Sequence, residues 1–310
     1  MMRIAVTGSA GYLGRAVLRA LEQDPQVEWV VGIDLTPCPE SDRTRFYRVD
    51  VRDPGLADVL RAERINAVMH LAFIIEARGD PALMRDVNVG GTANVLRAAA
   101  AAGVDSFLLM SSLTVYGAWP DNPPLLTEDL VPRPNPDDLY GQHKLQVEWL
   151  CHQFAAAHPE VSVAMMRPCG IIGPNFDTPF IKAMREATFL PLPQQCRGAA
   201  QFIHEDDAAQ LALLLVRERA RGIYNAAHPE TLPWRNVYER LGKPIISLPW
   251  GVLNAVFRLL WSLGKFPVLP TQMSIMTCPL VISGERAERE LGFRPRYSSS
   301  AALEAALRRA

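Results

Sequence analysis

The stretch Ile4-Ala5-Val6-Thr7-Gly8-Ser9-Ala10-Gly11-Tyr12-Leu13-Gly14 joins a short apolar strand directly to the start of a helix. A strand that turns sharply into a helix presents backbone N–H groups and the positive end of the helix dipole, which suits a pyrophosphate. Gly8 is expected to permit the turn, Gly11 to let the phosphate approach the backbone, and Gly14 to let the helix pack on the strand. No Lys-Ser or Lys-Thr pair follows, so the loop differs from that of the P-loop nucleotidases.

Asp34 ends the second predicted strand, about 20 residues beyond the last glycine. A carboxylate at this distance accepts hydrogen bonds from the adenosine ribose and repels a 2′-phosphate, so we expect the cofactor to be NAD. Arg43 and Arg45 lie downstream and are able to hold a 2′-phosphate, which keeps NADP as the lesser alternative. Asp50, past the third strand, is a candidate acceptor for the adenine amino group, and Asp53 is expected to cap a helix.

Apolar strands alternate with helices along much of the chain, which favours an α/β fold with a Rossmann-type, doubly wound parallel sheet. Strands are predicted at 3–6, 27–33, 45–49, 67–71, 106–110, 161–166 and 222–225, and helices from Tyr12 and at 81–102, 140–157 and 206–218. We predict an NAD-binding domain over 1–168, with returns to the sheet at about 199–225. A smaller, discontinuous substrate-binding lobe is predicted over 169–310.

The composition excludes several classes of function. The chain has 310 residues, with 32 basic and 33 acidic side chains and no basic block, so we expect no nucleic-acid partner. The five cysteines include no C-x-x-C pair, which disfavours a metal site or a disulfide framework and is typical of a cytoplasmic protein. We expect no signal peptide, because the predicted fold begins at about Arg3. We expect no membrane span, because no apolar run reaches roughly 18 residues.

Tyr140 and Lys144 are four residues apart on a predicted helix and therefore share one face. A phenol titrates near pH ~10, so a base that works near neutrality requires about 3 pH units of stabilisation of the phenolate. A neighbouring ammonium group and a positively charged nicotinamide ring are plausible sources. The pair alone is also compatible with a structural tyrosine and a solvated lysine.

The chain resembles the extended short-chain dehydrogenases/reductases, the NAD-dependent epimerase/dehydratase family that includes nucleotide-sugar epimerases and dehydratases. The matching segments run in the family's order from residue 4 to about 207, followed by a similar tail at 289–297. They are Thr7-Gly8-x-x-Gly11-x-x-Gly14, Asp34, Asp50-Val51, His70-Leu71-Ala72, Asn88, Ser111-Ser112 with Val115-Tyr116-Gly117, Tyr140-x-x-x-Lys144, Arg167-Pro168 with Gly173-Pro174, and Phe202-Ile203-His204 with Asp207.

The resemblance implies a role for each matching residue. Tyr140 is expected to be the acid/base, Lys144 to lower its pKa and bind the nicotinamide ribose, and Ser112 to hold the substrate oxygen. The residues expected at the cofactor are Gly8, Ala10, Gly11, Tyr12, Leu13, Asp34, Asp50, Val51, Leu71, Ala72, Phe73, Asn88, Met110, Ser111, Tyr140, Lys144 and Pro168. The resemblance also implies a homodimer, formed by the helices at about 81–102 and 140–157.

Four positions depart from the family pattern. Leu113 and Thr114 stand where sugar-nucleotide dehydratases have an Asp-Glu pair, so dehydration is disfavoured. Ala200 replaces an arginine that grips the diphosphate in many members, and Gly170 replaces a frequent asparagine. A smaller or more apolar alcohol or ketone is therefore favoured over a nucleotide sugar as the substrate.

We therefore predict an NAD-dependent oxidoreductase acting on a secondary alcohol or ketone. One alternative is a UDP-sugar 4-epimerase that retains its NAD, and another is a non-catalytic, dinucleotide-sensing protein of the same fold. The sequence identifies no substrate.

Three further observations concern the segment 251–263 and the histidines. The segment 251–263 is predicted to be an apolar helix with a narrow polar stripe, which either packs within the lobe or contacts a lid, partner or membrane surface. His70 and His204 lack neighbouring ligands, so no metal is expected. His143 is predicted to lie at the surface.

Overall fold

A computed structural model describes residues 1–75, 80–176, 186–265 and 270–308. Seven parallel strands form the central sheet, in the spatial order β11-β6-β5-β4-β1-β2-β3. These strands are β1 (Met2–Thr7), β2 (Val27–Asp34), β3 (Thr44–Arg48), β4 (Ala67–His70), β5 (Ser106–Met110), β6 (Ser162–Pro168) and β11 (Gly222–Ala226). The predicted α/β class and parallel sheet are confirmed.

Helices cover the sheet because its strands are apolar on both faces. The helices of this part of the chain are α1 (Tyr12–Gln23), α2 (Leu56–Ala62), α3 (Pro81–Arg85), α4 (Gly91–Ala102), α5 (Leu139–Ala157) and α6 (Glu205–Arg217). Gly103 closes α4 in the left-handed conformation, as expected from the sequence. The end of β1 and the ends of β4 and β5 meet at one edge of this sheet, which positions the candidate site.

The predicted helix over 81–102 is not uniform. A five-residue π-helical segment, Asp86–Gly90, separates α3 from α4. It contains the fully buried Asn88. The Nδ2 of Asn88 donates to the backbone carbonyl of Ile74 (3.0 Å), and its Oδ1 accepts from the backbone N–H of Ile74 (2.7 Å). π-segments inside helices frequently occur at functional positions. Here the segment aims Asn88 at the loop that follows β4.

The remaining strands form three two-stranded sheets outside the central one. The pairs are β7 (Gly170–Ile172) with β10 (Phe202–His204), β9 (Ala199–Ala200) with β12 (Leu232–Pro233), and β8 (Leu190–Pro193) with β13 (Ile245–Leu248). Helices α7 (Trp234–Glu239), α8 (Trp250–Ser262), α9 (Glu285–Leu291) and α10 (Ser299–Leu307) complete the chain. Of the segment 199–225, only β11 joins the central sheet. The predicted division into a domain and a lobe stays a prediction.

Helix α8 confirms the predicted helix at 251–263 to within one residue. Leu253 and Phe257 are buried against the neighbouring cluster of apolar side chains, which supports a packing role for one face. Val252, Val256 and Leu259 remain exposed on the other face. Within the ranges that the structure describes, no helix is both long and apolar enough to cross a membrane.

Candidate active site

The glycine loop has the geometry that its sequence predicts. Gly8 adopts φ +74°, and a Cβ on it would lie 2.6 Å from the backbone nitrogen of Ala72. A Cβ on Gly14 would lie 2.1 Å from the carbonyl oxygen of Gly8, which shows how closely α1 packs on the turn. Other residues at these two positions would fill the cradle in front of the helix. The loop therefore fits a dinucleotide pyrophosphate.

Asp34 lies against this loop. Its carboxylate accepts hydrogen bonds from the backbone N–H of Ala10 (3.0 Å) and of Thr36 (3.0 Å). These bonds fix the carboxylate at the end of β2, on the side of the sheet where the loop emerges. The position is the one expected for a residue that binds an adenosine ribose.

Asp50 and Val51 have different surroundings. Both carboxylate oxygens of Asp50 bind the Arg52 guanidinium (2.6 and 3.0 Å), and this hydrogen-bonded pair lowers the pKa of Asp50. Arg52 also pairs with Asp86. Val51 is buried against Gly91. The predicted contact of Asp50 with an adenine amino group stays a prediction.

A chain of buried hydrogen bonds connects the loop to the π-segment through His70. The Ala72 N–H reaches the Thr7 hydroxyl (3.4 Å), which lies 2.7 Å from His70 Nδ1. His70 Nε2 lies 2.9 Å from the Thr92 hydroxyl, which itself donates to the carbonyl of Asn88. Every group is satisfied when His70 is neutral with its proton on Nε2. Burial lowers the pKa of His70 to about 3, in agreement with that assignment.

Ser112, Tyr140 and Lys144 come together where β5 ends and α5 begins. The Ser112 hydroxyl accepts hydrogen bonds from the backbone N–H (3.2 Å) and hydroxyl (3.0 Å) of Thr114. Burial raises the pKa of Tyr140 to about 12, although a hydrogen bond with Ser112 opposes the rise. Ser112 lies about 30 residues before the helix that carries Tyr140 and Lys144, and the fold brings the two segments together at one edge of the sheet.

The Lys144 ammonium group is buried. It donates to the carbonyl of Met110 (2.6 Å) and lies 3.5 Å from the centre of the Phe73 ring. Burial lowers its pKa to about 7, partly offset by the charge of Glu148. Phe73 also meets the Tyr140 ring edge-on at 5.5 Å between centroids. Phe73 thus contacts both residues of the predicted acid/base pair.

Buried polar residues beneath the site could not be assigned from the sequence. Glu148 accepts from the Ser111 hydroxyl (2.5 Å) and pairs with Arg167 (2.6 and 2.8 Å). Arg167 also donates to the Tyr116 hydroxyl (2.9 Å), which bonds to Asn225 (2.9 Å). The network ties the ends of β5, β6 and β11 to α5. Tyr116 and Arg167 belong to segments that match the family, and Glu148 lies one turn beyond Lys144, but none of these signals indicated that the three residues are connected.

One expectation about this region is wrong. His143 is buried instead of exposed at the surface, and its Nδ1 lies 3.4 Å from Asn88 Nδ2. The first turns of α5 pack on the π-segment, so the residue between Tyr140 and Lys144 has no access to solvent.

The other predicted cofactor residues line the same edge. Leu71 and Ala72 bond to Thr7 at the end of β1, and Pro168 ends β6 as a buried residue. Tyr12 begins α1 with its ring 5.3 Å from that of Phe176, and Leu13 packs on the core.

Within the described part of the chain, no cluster of side chains suits a metal ion.

A cavity of about 310 Å³ adjoins this edge. Leu113 and Thr114, directly after Ser112, form part of its wall, as does Asp138, two residues before Tyr140. The opposite wall comes from β9, β10, α7 and the 3-10 helix Pro270–Met276. The cavity therefore has the position of a substrate pocket beside the predicted acid/base pair.

Comparison with known proteins finds sequence relatives that match almost the whole chain. UDP-glucose 4-epimerase 1 of Oryza sativa is 31% identical over 95% of this chain and 90% of its own length. An uncharacterized protein of Mycobacterium tuberculosis is 24% identical over 97% of the chain and 82% of its own length.

Solved structures agree in fold. The UDP-glucose 4-epimerase of Thermotoga maritima with UDP-glucose superimposes with a TM-score of 0.79, at 19% identity, over 99% of this chain and 98% of its own. DesIV, a dTDP-glucose 4,6-dehydratase of Streptomyces venezuelae with NAD bound, gives 0.77 at 25% identity, over 99% and 96%. The sequence profile of the NAD dependent epimerase/dehydratase family matches residues 4–227, so this chain belongs to that family, whose cofactor is NAD.

Proposed function

We propose that this protein is an NAD-dependent oxidoreductase that acts on a secondary alcohol or ketone, with Tyr140, Lys144 and Ser112 as its catalytic residues. The observation that carries the proposal is the convergence of the Ser112 hydroxyl, the Tyr140 phenol and the buried Lys144 ammonium group beside the glycine loop. NAD, when bound, supplies the acceptor or donor of the hydride.

The phenol of Tyr140 moves the proton of the substrate oxygen. Its raised pKa means that the phenolate needs positive charge nearby before it can act as a base at neutral pH. In its protonated form, which a pKa of about 7 allows near neutral pH, Lys144 provides such a charge one helical turn away, with its Nζ 5.5 Å from the centre of the Tyr140 ring. The Ser112 hydroxyl, held by Thr114, orients the substrate oxygen toward the phenol.

The wall of the cavity disfavours a dehydratase. Loss of water from a sugar requires a group that protonates the leaving hydroxyl and a base for the carbon-bound proton. The positions after Ser112 are Leu113 and Thr114, and neither side chain titrates near neutral pH.

A second candidate is a UDP-sugar 4-epimerase with retained NAD. The similarity to the rice UDP-glucose 4-epimerase favours it. A non-catalytic, dinucleotide-sensing protein is the third, although a sensor has no need of the convergent proton-transfer residues.

Purified protein should be denatured, and the released nucleotide measured. The native protein should then be tested with secondary alcohols and ketones while NADH absorbance is followed. The oxidoreductase proposal predicts a net change of NADH absorbance with one of these compounds. Tightly retained NAD with interconversion of UDP-sugars and no net change would instead establish the epimerase, and binding of NAD without any turnover would establish the sensor.

We also propose a cytoplasmic homodimer. The five cysteines are free, as expected in a reducing compartment. Trp149 on α5 is 60% exposed, which is unusual for so large an apolar ring and supports pairing through this helix.

A further inference from the structure

We infer that the substrate is an apolar alcohol or ketone without a phosphate group, held in the cavity beside Thr114 and Asp138. This inference rests on the proposed function and adds to it the chemical class of the substrate. It derives from the walls of the cavity, from their charge and from the hydrogen bonds that their polar side chains already make.

Apolar side chains form most of the cavity wall. They come from segments far apart in sequence and include Leu113, Phe202, Trp234, Ile275, Met276 and Leu280. Moving such an apolar surface out of water into contact with a hydrocarbon ligand lowers the free energy of the complex. A sugar ring, which carries a hydroxyl on most carbons, would lose hydrogen bonds to water without replacing them here.

The charge of the cavity opposes a diphosphate. Among the described residues that line it, none is a lysine or arginine, and the ionisable side chain is Asp138. Phosphate groups in proteins are commonly bound by arginine or lysine, or by a row of backbone N–H groups. A ligand with two negative charges would here meet a carboxyl group and no cation from the described wall.

The two departures that replace expected diphosphate contacts, Ala200 and Gly170, both lie in this wall. Ala200 is buried in β9, where its methyl group contributes to the apolar surface. At Gly170 a Cβ would lie 3.0 Å from the ring of Phe202, so a longer polar side chain would have to displace that ring. The packing of Phe202 on Gly170 therefore keeps this part of the wall apolar.

The polar side chains in the wall are engaged elsewhere. The Gln201 Nε2 donates to the backbone carbonyls of His228 and Ile282, and its Oε1 accepts from the backbone N–H of Ile282. The Asn135 amide accepts from the backbone N–H of Ala118 at 2.9 Å. We therefore expect a single carbonyl or hydroxyl group of the ligand to lie at the side of the cavity formed by Leu113, Thr114 and Asp138, which are close in sequence to Ser112 and Tyr140.

The test is a calorimetric titration of the NADH-saturated protein with 2-decanone and with menthone, and separately with UDP and UDP-glucose. We expect at least one ketone to bind, with a negative heat-capacity change, because apolar surface is buried. Ile275→Gln, which places an amide in the wall, should raise the ketone Kd by about tenfold. Ile246→Gln, on an exposed position of β13, is the matched control and should leave it within about twofold.

Ala200→Arg provides a second, opposite test, provided that its far-UV circular dichroism matches the wild type. A guanidinium group in the wall should weaken ketone binding and introduce measurable binding of UDP. Tighter binding of UDP or UDP-glucose than of either ketone in the wild type would overturn the inference, and so would failure of both ketones to bind. Ketone binding without any oxidation of NADH would contradict the proposed function while it supports the apolar pocket.

Discussion

The Lys144 ammonium group lies 3.5 Å from the centre of the Phe73 ring, and the same ring meets Tyr140 edge-on. Phe73 lies in the loop after β4, which Asn88 holds through the backbone of Ile74. The aromatic face stabilises the cation while the ring excludes water from it. The contact connects the loop after β4 to the proposed acid/base pair on α5, and it depends on a residue within the π-segment.

Tyr140→Phe should lower kcat by roughly 10²–10⁴-fold on any substrate that the protein turns over, because the phenol carries the proton. The ring contact with Phe73 does not involve the hydroxyl, so the fold should persist. NADH absorbance measures the rate. Tyr47→Phe, at the far edge strand β3, is the matched control and should retain activity. Full activity in the Tyr140 variant would exclude the proposed role.

Lys144→Met should stabilise the protein relative to wild type by an amount that grows as the pH falls from about 10 to about 7. Over that range the unfolded chain binds a proton at this lysine that the folded chain, with a pKa of about 7, does not bind. The pH-dependent part of the difference in the free energy of unfolding should reach roughly 5 kcal/mol and stay constant below pH ~6.

Urea unfolding at several pH values measures this difference. Lys265→Met, at an exposed position, is the control and should give a difference that does not change with pH. A difference for Lys144→Met that is equally flat would show that the lysine is hydrated in the free protein.

His70→Gln should weaken the dependence of stability on acid. The folded-state pKa of His70 is lowered to about 3, so wild-type stability decreases as the pH falls from about 6.5 toward 3. Between pH ~7 and pH ~4, the free energy of unfolding of the variant should fall by about 3 kcal/mol less than that of the wild type. The loss of the hydrogen bonds to Thr7 and Thr92 should lower the stability of the variant at every pH.

Thermal and urea unfolding report this slope. The exposed His152→Gln on α5 is the control and should follow the wild-type curve. Identical acid dependence of wild type and His70→Gln would mean that His70 is charged in the folded protein, contrary to the hydrogen-bond chain.

Trp149→Glu should convert the proposed dimer into a monomer, because a charge would be buried at the helix pair. Light scattering after gel filtration measures the mass, for which one chain contributes 34.3 kDa. Val131→Glu replaces an apolar residue outside α4 and α5 that is even more exposed than Trp149, and it should leave the dimer intact. A wild-type mass of one chain would refute the dimer.

The strands and the glycine loop could be predicted because their causes are local. Gly8 and Gly14 are required by contacts within a few residues or with the adjacent strand, and apolar runs reveal buried strands without further information. Gly103 likewise ends its helix through its own backbone conformation. The π-segment at Asn88 could not be predicted, because its helix-like sequence is distorted by the loop that its side chain binds.

The burial of His143 was mispredicted for a related reason. A polar residue between two functional ones on a helix is usually solvated, and only the packing of α5 on the π-segment buries it. The network of Glu148 and Arg167 was missed because each residue alone resembles an ordinary surface charge.

By itself, the sequence determined the sheet, the glycine loop that is predicted to cradle a pyrophosphate and the expectation of NAD, because each rests on residue types at short, fixed spacings. The tertiary structure alone decided what surrounds Tyr140 and Lys144 and which walls enclose the cavity beside them. Those walls come from segments between residues 113 and 280 that meet only when the chain is folded. The described part of these walls is apolar and carries no lysine or arginine only because these segments pack together, so no single stretch of sequence reveals it.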